Sequence, residues 1–88
     1  PQVLSLERIV ARIVEAMHAS LTAARGEVRV EPLPEVGGDA LAIEQLFANL
    51  LGNAVAYARP DVPARIEVAA EDDLARTPGY TVIRVSDN

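Results

Sequence analysis

The sequence predicts an α/β (α+β) two-layer sandwich in which helices pack on one face of a mixed sheet. Hydrophobic residues recur at helical spacing in two long segments, and three shorter segments carry the valine, isoleucine and alternation typical of strands. Their order is helix, strand, helix, strand, strand, which suits one layer of helices on one sheet. The 88 residues suffice for a single small domain.

Composition excludes several classes of protein. Half of the residues are hydrophobic, which argues against disorder, and the absence of cysteine removes disulfides, thiolate metal sites and thiol catalysis. The net charge is −5 and the eight basic residues are dispersed arginines, so no nucleic-acid surface is expected. No apolar run approaches the roughly 18 residues of a membrane span, and the N-terminus does not resemble a signal peptide. We therefore expect a cytoplasmic segment without direct membrane contact.

The first helix is predicted over residues 6–24. Ser5 can cap its N-terminus, and Gly26 provides the usual left-handed stop. The helical stripe that we expect to be buried is Leu6, Ile9, Val10, Ile13, Val14, Met17 and Leu21. Residues 27–31 then alternate as a short, half-exposed strand, and the prolines and glycines of residues 32–38 predict an irregular connection.

Asp39 is predicted to cap a second helix over residues 40–58, which the prolines after Ala58 bring to an end. Its expected apolar stripe is Ile43, Leu46, Phe47, Leu50, Leu51, Ala54 and Val55. Two strands follow, 65–71 and 80–86, joined as a hairpin by the linker 72–79. The second of these strands reads as buried, and a domain rarely stops at the exit of a central strand, so we expect the polypeptide to continue beyond Asn88.

Asn49 and Asn53 are the most informative polar residues. They lie four residues apart, so they share one face of the second helix, and Tyr57 continues the same row. Burying an unpaired amide costs a few kcal/mol, so both must meet water, another polar group or a ligand. An asparagine oxygen can bind Mg²⁺, and its NH₂ group can donate to phosphate. Two solvent-facing positions on an amphipathic helix are the plainer interpretation.

Asp87 follows the last predicted strand. A carboxylate at that place can accept a hydrogen bond from an exocyclic amine such as that of adenine, although aspartate also commonly opens a turn. The acidic run 71–73 has no clustered partner and is interpreted as a solvated loop rather than a metal site.

The second helix resembles the N box of sensor histidine kinases, with the sequence DALAIEQLFANLLGNAVAY over residues 39–57. Residues 82–88 resemble the strand that leads into that family's first glycine box, Asp-x-Gly-x-Gly, and residues 59–68 are similar to sensor kinases of the phytochrome and PAS-linked type. The resemblance covers nearly the whole chain. It implies that residues 1–88 are the N-terminal part of a single histidine kinase-like ATP-binding domain with an incomplete Bergerat-type fold of the GHKL superfamily.

This resemblance implies Mg·ATP binding by the catalytic domain of a two-component sensor histidine kinase. Asn53 would coordinate Mg²⁺, Asn49 would line the phosphate side, Tyr57 would lie near adenine and ribose, and Asp87 would bind the adenine amino group. The phosphoryl group would pass to a histidine on a separate upstream dimerisation domain of a homodimer and then, in a phosphorelay, to a response regulator. Relatives that hydrolyse ATP generally have glutamate at the position of Asn49, so the amide favours transfer over hydrolysis.

The chain departs from the family pattern in several places. Ala56 replaces the family's usual lysine, and the glycine boxes and lid are not in the chain, so its own ATP affinity should be poor. His18 lacks the acidic residue and proline that follow the family's phosphoacceptor, so we interpret it as a surface or boundary residue and expect no catalytic residue here. Two alternatives remain open: a degenerate scaffold that docks a response regulator without ATP, and an anti-sigma-type serine kinase.

Overall fold

A layer of helices on one face of a three-stranded mixed sheet forms the body of the protein in the computed structural model, which describes residues 2–71 and 82–88. The elements are β1 (Gln2–Ser5), α1 (Leu6–Ala16), α2 (His18–Ala23), β2 (Glu27–Val30), β3 (Glu35–Gly38), α3 (Ala40–Ala56), β4 (Arg65–Glu71) and β5 (Val82–Asp87). The predicted linker 72–79 and the first residues of the strand 80–86 lie outside the described residues.

The main sheet has the strand order β2-β4-β5. β2 and β4 run parallel with Val28 opposite Ile66, and β4 and β5 run antiparallel with Val68 opposite Val85. The parallel pair is joined by the α3 crossover and the antiparallel pair follows in sequence, as expected from the element order. The predicted mixed sheet is therefore confirmed.

The hydrophobic core lies between the helices and one face of this sheet. Val10 of α1, Leu51 of α3 and Val68 of β4 are fully buried at its centre. On the opposite face of the sheet, Arg84 pairs with Glu67 at 3.2 Å and with Glu71 at 3.7 Å. The sheet thus has one apolar and one charged face, which confirms the two-layer sandwich.

The first helical segment begins as predicted but is divided. Ser5 caps α1, its hydroxyl accepting the Arg8 backbone N–H at 3.3 Å. At Met17 the helix is interrupted: the Met17 N–H is shared between the carbonyls of Ile13 (3.0 Å) and Val14 (3.2 Å), and α2 starts at the next residue. The predicted single helix 6–24 is therefore wrong in its continuity, because local spacing alone does not reveal a shared hydrogen bond of this kind.

Arg25, rather than Gly26, takes the left-handed conformation at the end of α2, with φ = 52°. The Arg25 N–H donates to the Thr22 carbonyl and the Gly26 N–H to the Leu21 carbonyl, at 3.1 Å and 2.6 Å, which is a Schellman arrangement. A Cβ atom at Gly26 would lie 3.0 Å from Leu21 Cδ2 and 3.3 Å from the Leu21 carbonyl oxygen. Gly26 is thus needed for close approach, and the predicted left-handed role belongs to its neighbour.

The connection predicted to be irregular contains a strand. β3 pairs antiparallel with β1 in a second, two-stranded sheet, with Leu4 opposite Val36 and Gln2 opposite Gly38. Leu4 is buried and Val36 packs against the core. The prediction failed here because the pairing joins segments distant in sequence, whereas prolines and glycines give only a local signal.

α3 begins as predicted, with the Asp39 carboxylate accepting the backbone N–H groups of Leu41 (3.0 Å) and Ala42 (3.3 Å). Phe47, Leu51 and Ala54 of its stripe are buried. Leu46 and Leu50, predicted in the same stripe, are 56% and 41% exposed because they lie on the flank of the helix beside β5. β5 is likewise not the buried strand that the sequence predicted, since its residues are half-buried or exposed.

Candidate functional site at the end of the sheet

The packing of α3 decides where its amides point. Because Phe47, Leu51 and Ala54 face the core, the helical spacing turns Asn49 and Asn53 away from it, and both side chains are exposed. The amides therefore leave the hydrophobic layer, as the sequence predicted.

The side of α3 next to β5 is marked by two leucines. Leu46 and Leu50 line a cavity together with Ile83 and Val85 of β5. Asn53 follows Leu50 by three residues, so it belongs to the same flank of α3. Asn53 thus borders the side of α3 next to β5, whereas Asn49 points to solvent between this side and the side that faces α1.

Tyr57 caps the C-terminus of α3 and continues the row of Asn49 and Asn53. Its side chain is 84% exposed, so it contributes little to packing. The exposed ring lies one helical turn beyond Asn53 and presents its apolar face to solvent.

Asp87 lies on the helix-facing side of the sheet. It is the last residue of β5 and is directly opposite Ile66 in the antiparallel ladder, and opposite residues place their side chains on the same face. Ile66 is 2% exposed and belongs to the core, so this face is the one that the helices cover. The thickness of the sheet therefore does not separate Asp87 from α3.

Connectivity brings Asp87 to the end of the sheet that α3 approaches. The connection after Tyr57 leads directly into β4, and β5 runs antiparallel to β4, so β5 ends where β4 begins. Asn88 contacts this connection, because its side chain donates to the Pro63 carbonyl at 3.0 Å. The C-terminal part of α3, with its amides, and Asp87 thus share one side and one end of the sheet.

These residues do not line a common cavity. The cavity beside Leu46 and Leu50 has a volume of about 740 Å³ and is mainly apolar. Asp87 instead lines a separate depression of about 360 Å³, whose other lining residues include Glu67 and Ser86 of the charged face. In the described part of the chain, the side chains of Asn49, Asn53 and Asp87 make no hydrogen bond to one another. Within residues 2–71 and 82–88 the arrangement is an open surface on which the three polar groups stand apart from one another.

The described surface offers few ligands to a metal ion by itself. Among residues 2–71 and 82–88, no three histidine, cysteine or acidic side chains stand together in a way that could hold a metal ion. The amide of Asn53 supplies one hard oxygen, and Mg²⁺ binds about six oxygens with several contributed by water and phosphates. The site can therefore share a metal with a ligand that brings its own oxygens.

Ala56 and His18 are also at the surface. Ala56, which stands where the resemblance expects a lysine, is exposed on the last turn of α3. His18 is exposed at the start of α2, as predicted.

Asn88 is the residue that sequence reasoning missed. Its side chain bonds both Pro63 and the backbone N–H of Arg65, the latter at 3.1 Å. An asparagine after an aspartate at a strand end signals only a turn, so the sequence offered no means of finding its partners.

No protein-family model matches the chain, and no curated protein matches it significantly. No helix within the described ranges is long and apolar enough to cross a membrane.

Proposed function

We propose that this chain binds Mg·ATP as the N-terminal part of the catalytic domain of a two-component sensor histidine kinase. One observation carries the proposal: Asn49 and Asn53 both point out of the core from α3, with Asn53 bordering the side next to β5, and Asp87 lies on the same side of the sheet at the end that α3 approaches. Two adjacent elements thereby offer an acceptor for a base amine, an amide oxygen for a metal ion and an amide NH₂ donor for phosphate.

In this function the residues of the chain bind and orient the nucleotide. Asp87 accepts the hydrogen bond of the adenine amino group, which favours ATP over GTP, and Tyr57 offers an aromatic surface to the base and ribose. The Asn49 amide donates to phosphate oxygen, and Asn53 provides one ligand to Mg²⁺. When bound, the metal neutralises phosphate charge, and positioning and charge neutralisation supply most of the catalysis of phosphoryl transfer.

Transfer is favoured over hydrolysis by the chemistry of Asn49. A carboxamide cannot take a proton from an attacking water, so no described residue of α3 on this flank acts as a base for hydrolysis. The acceptor in the proposal is a histidine on a separate dimerisation domain of a cytoplasmic homodimer, from which a response regulator receives the phosphoryl group.

The proposal is tested by titrating the full-length protein with Mg·ATP in a calorimeter. Asn53→Ala should raise the Kd by about 100-fold, because a ligand to a charged group is lost. The fold should remain intact, since Asn53 is exposed. Asn53→Asp keeps an oxygen ligand and should bind Mg·ATP more tightly than Asn53→Ala.

Gln2→Ala serves as the matched control, because it removes an exposed carboxamide from β1, in the other sheet. Its Kd should equal that of the wild type. Near-wild-type affinity of Asn53→Ala would count decisively against the proposed role of α3.

A second candidate function is favoured by Ala56. An exposed alanine leaves this turn of α3 without the cation that would neutralise phosphate, which suits a degenerate scaffold that docks a response regulator without ATP. Absence of binding at millimolar Mg·ATP, together with binding of a response regulator to the full-length protein, would select the scaffold. Ala56→Lys should then create no nucleotide binding, whereas in the ATP-binding protein it should tighten the Kd.

A further inference from the structure

The side chain of Asn88 continues the β4–β5 ladder beyond its last main-chain pair, Ile66 with Asp87. Its Oδ1 accepts the Arg65 backbone N–H at 3.1 Å, and its Nδ2 donates to the Pro63 carbonyl at 3.0 Å. A carboxamide carries the same donor and acceptor as a peptide group, so it can pair with a neighbouring backbone as another strand residue would. Asn88 thus ties the end of β5 to the connection between α3 and β4.

The two hydrogen bonds of Asn88 also affect the preceding residue, Asp87. Asp87 is exposed at the last position of its strand, where hydrogen bonds open most readily. Asn88 fixes the backbone directly after Asp87, and the segment that it holds begins at Tyr57, the C-terminal cap of α3. The bonds therefore restrain Asp87 relative to the connection that joins α3 to β4.

We propose that Asn88 is a positioning residue for base recognition, holding the Asp87 carboxylate where it can accept the amino group of adenine. This inference rests on the proposed function. It predicts that Asn88 controls the choice between ATP and GTP rather than the overall affinity for Mg-triphosphate, because the amides of α3 do not depend on the tie.

A purely structural role makes a different prediction. If Asn88 only stabilised the end of the sheet, its loss would lower the melting temperature and change both nucleotide affinities in the same proportion. The ratio of the two affinities therefore separates the two roles.

The experiment is calorimetric titration of the full-length wild type, Asn88→Ala and Asn88→Asp with Mg·ATP and with Mg·GTP. Asn88→Ala should reduce the preference for ATP by about tenfold, the loss expected for one hydrogen bond, through weaker ATP binding at an unchanged GTP affinity. Asn88→Asp keeps the acceptor for the Arg65 N–H but loses the donor to the Pro63 carbonyl. Its preference for ATP over GTP should therefore fall between those of the wild type and Asn88→Ala. Faster hydrogen exchange of the Arg65 amide in Asn88→Ala should report the lost bond.

Ser86→Ala is the control, because Ser86 lies opposite Glu67 on the charged face of the sheet. Its nucleotide preference should match that of the wild type. An unchanged ATP-to-GTP ratio in Asn88→Ala overturns the inference while leaving the proposed function standing, and equal weakening of both nucleotides does the same. A wild type that binds neither nucleotide overturns both. If Asn88→Ala fails to fold, the ratio measured for Asn88→Asp decides, and a wild-type value rejects the positioning role.

Discussion

Arg25 occupies a backbone conformation that glycine adopts without steric cost. Its φ of 52° places the Cβ atom of an L-residue close to the following carbonyl oxygen, and this steric contact costs about 1–2 kcal/mol. Replacement by glycine removes this strain. Glycine also raises the conformational entropy of the unfolded chain, which lowers the free energy of unfolding by about 0.5–1 kcal/mol. We therefore predict that Arg25→Gly raises the free energy of unfolding by about 0.5–1 kcal/mol, measured by urea denaturation.

The preceding residue provides the matched control. Ala24 has φ = −87°, so glycine there relieves no strain, and Ala24→Gly should lower the free energy of unfolding by about 0.5–1 kcal/mol. Equal destabilisation by the two glycine substitutions would show that Arg25 is not left-handed in solution.

At the scale of the element, α3 depends on its N-terminal cap. Asp39 accepts two backbone N–H groups of the first turn and places a negative charge at the positive end of the helix. Asp39→Ala should therefore lower the free energy of unfolding by about 1 kcal/mol in urea denaturation. Asp39→Asn retains the acceptor and should lose only a few tenths of a kcal/mol, the contribution of the charge. A loss for Asp39→Asn as large as for Asp39→Ala would mean that the charge, not the cap, stabilises the helix.

The elements show what local sequence could predict. The capping aspartate and the spacing of Phe47 and Leu51 predicted α3 and the outward direction of its amides, because both signals act within a few residues. β3 was missed because its partner β1 is distant in sequence. The side of the sheet on which Asp87 lies depends on its register with Ile66, which is also a non-local pairing. The resemblance to the N box selected the candidate residues of α3, and only the structure showed that they share no cavity with Asp87.

At the scale of the whole molecule, stability and the exposure of the two amides depend on the same orientation of α3 about its own axis. A chain of 88 residues has a free energy of unfolding of about 4–13 kcal/mol. Its core is centred on three fully buried side chains, Val10, Leu51 and Val68. The orientation that buries Leu51 also turns Asn49 and Asn53 to solvent, so packing and binding can be tested together.

Two leucines of α3 form the test. Leu51 is fully buried, so Leu51→Ala should remove about 2–5 kcal/mol from the free energy of unfolding and can leave the chain largely unfolded. Leu46 is 56% exposed, so Leu46→Ala should cost less than about 1 kcal/mol. Urea denaturation measures both, and amide chemical-shift dispersion reports whether Leu51→Ala remains folded. Similar losses at the two positions would require α3 to be rotated about its axis, and a rotated helix would carry Asn49 and Asn53 toward the core and away from any ligand.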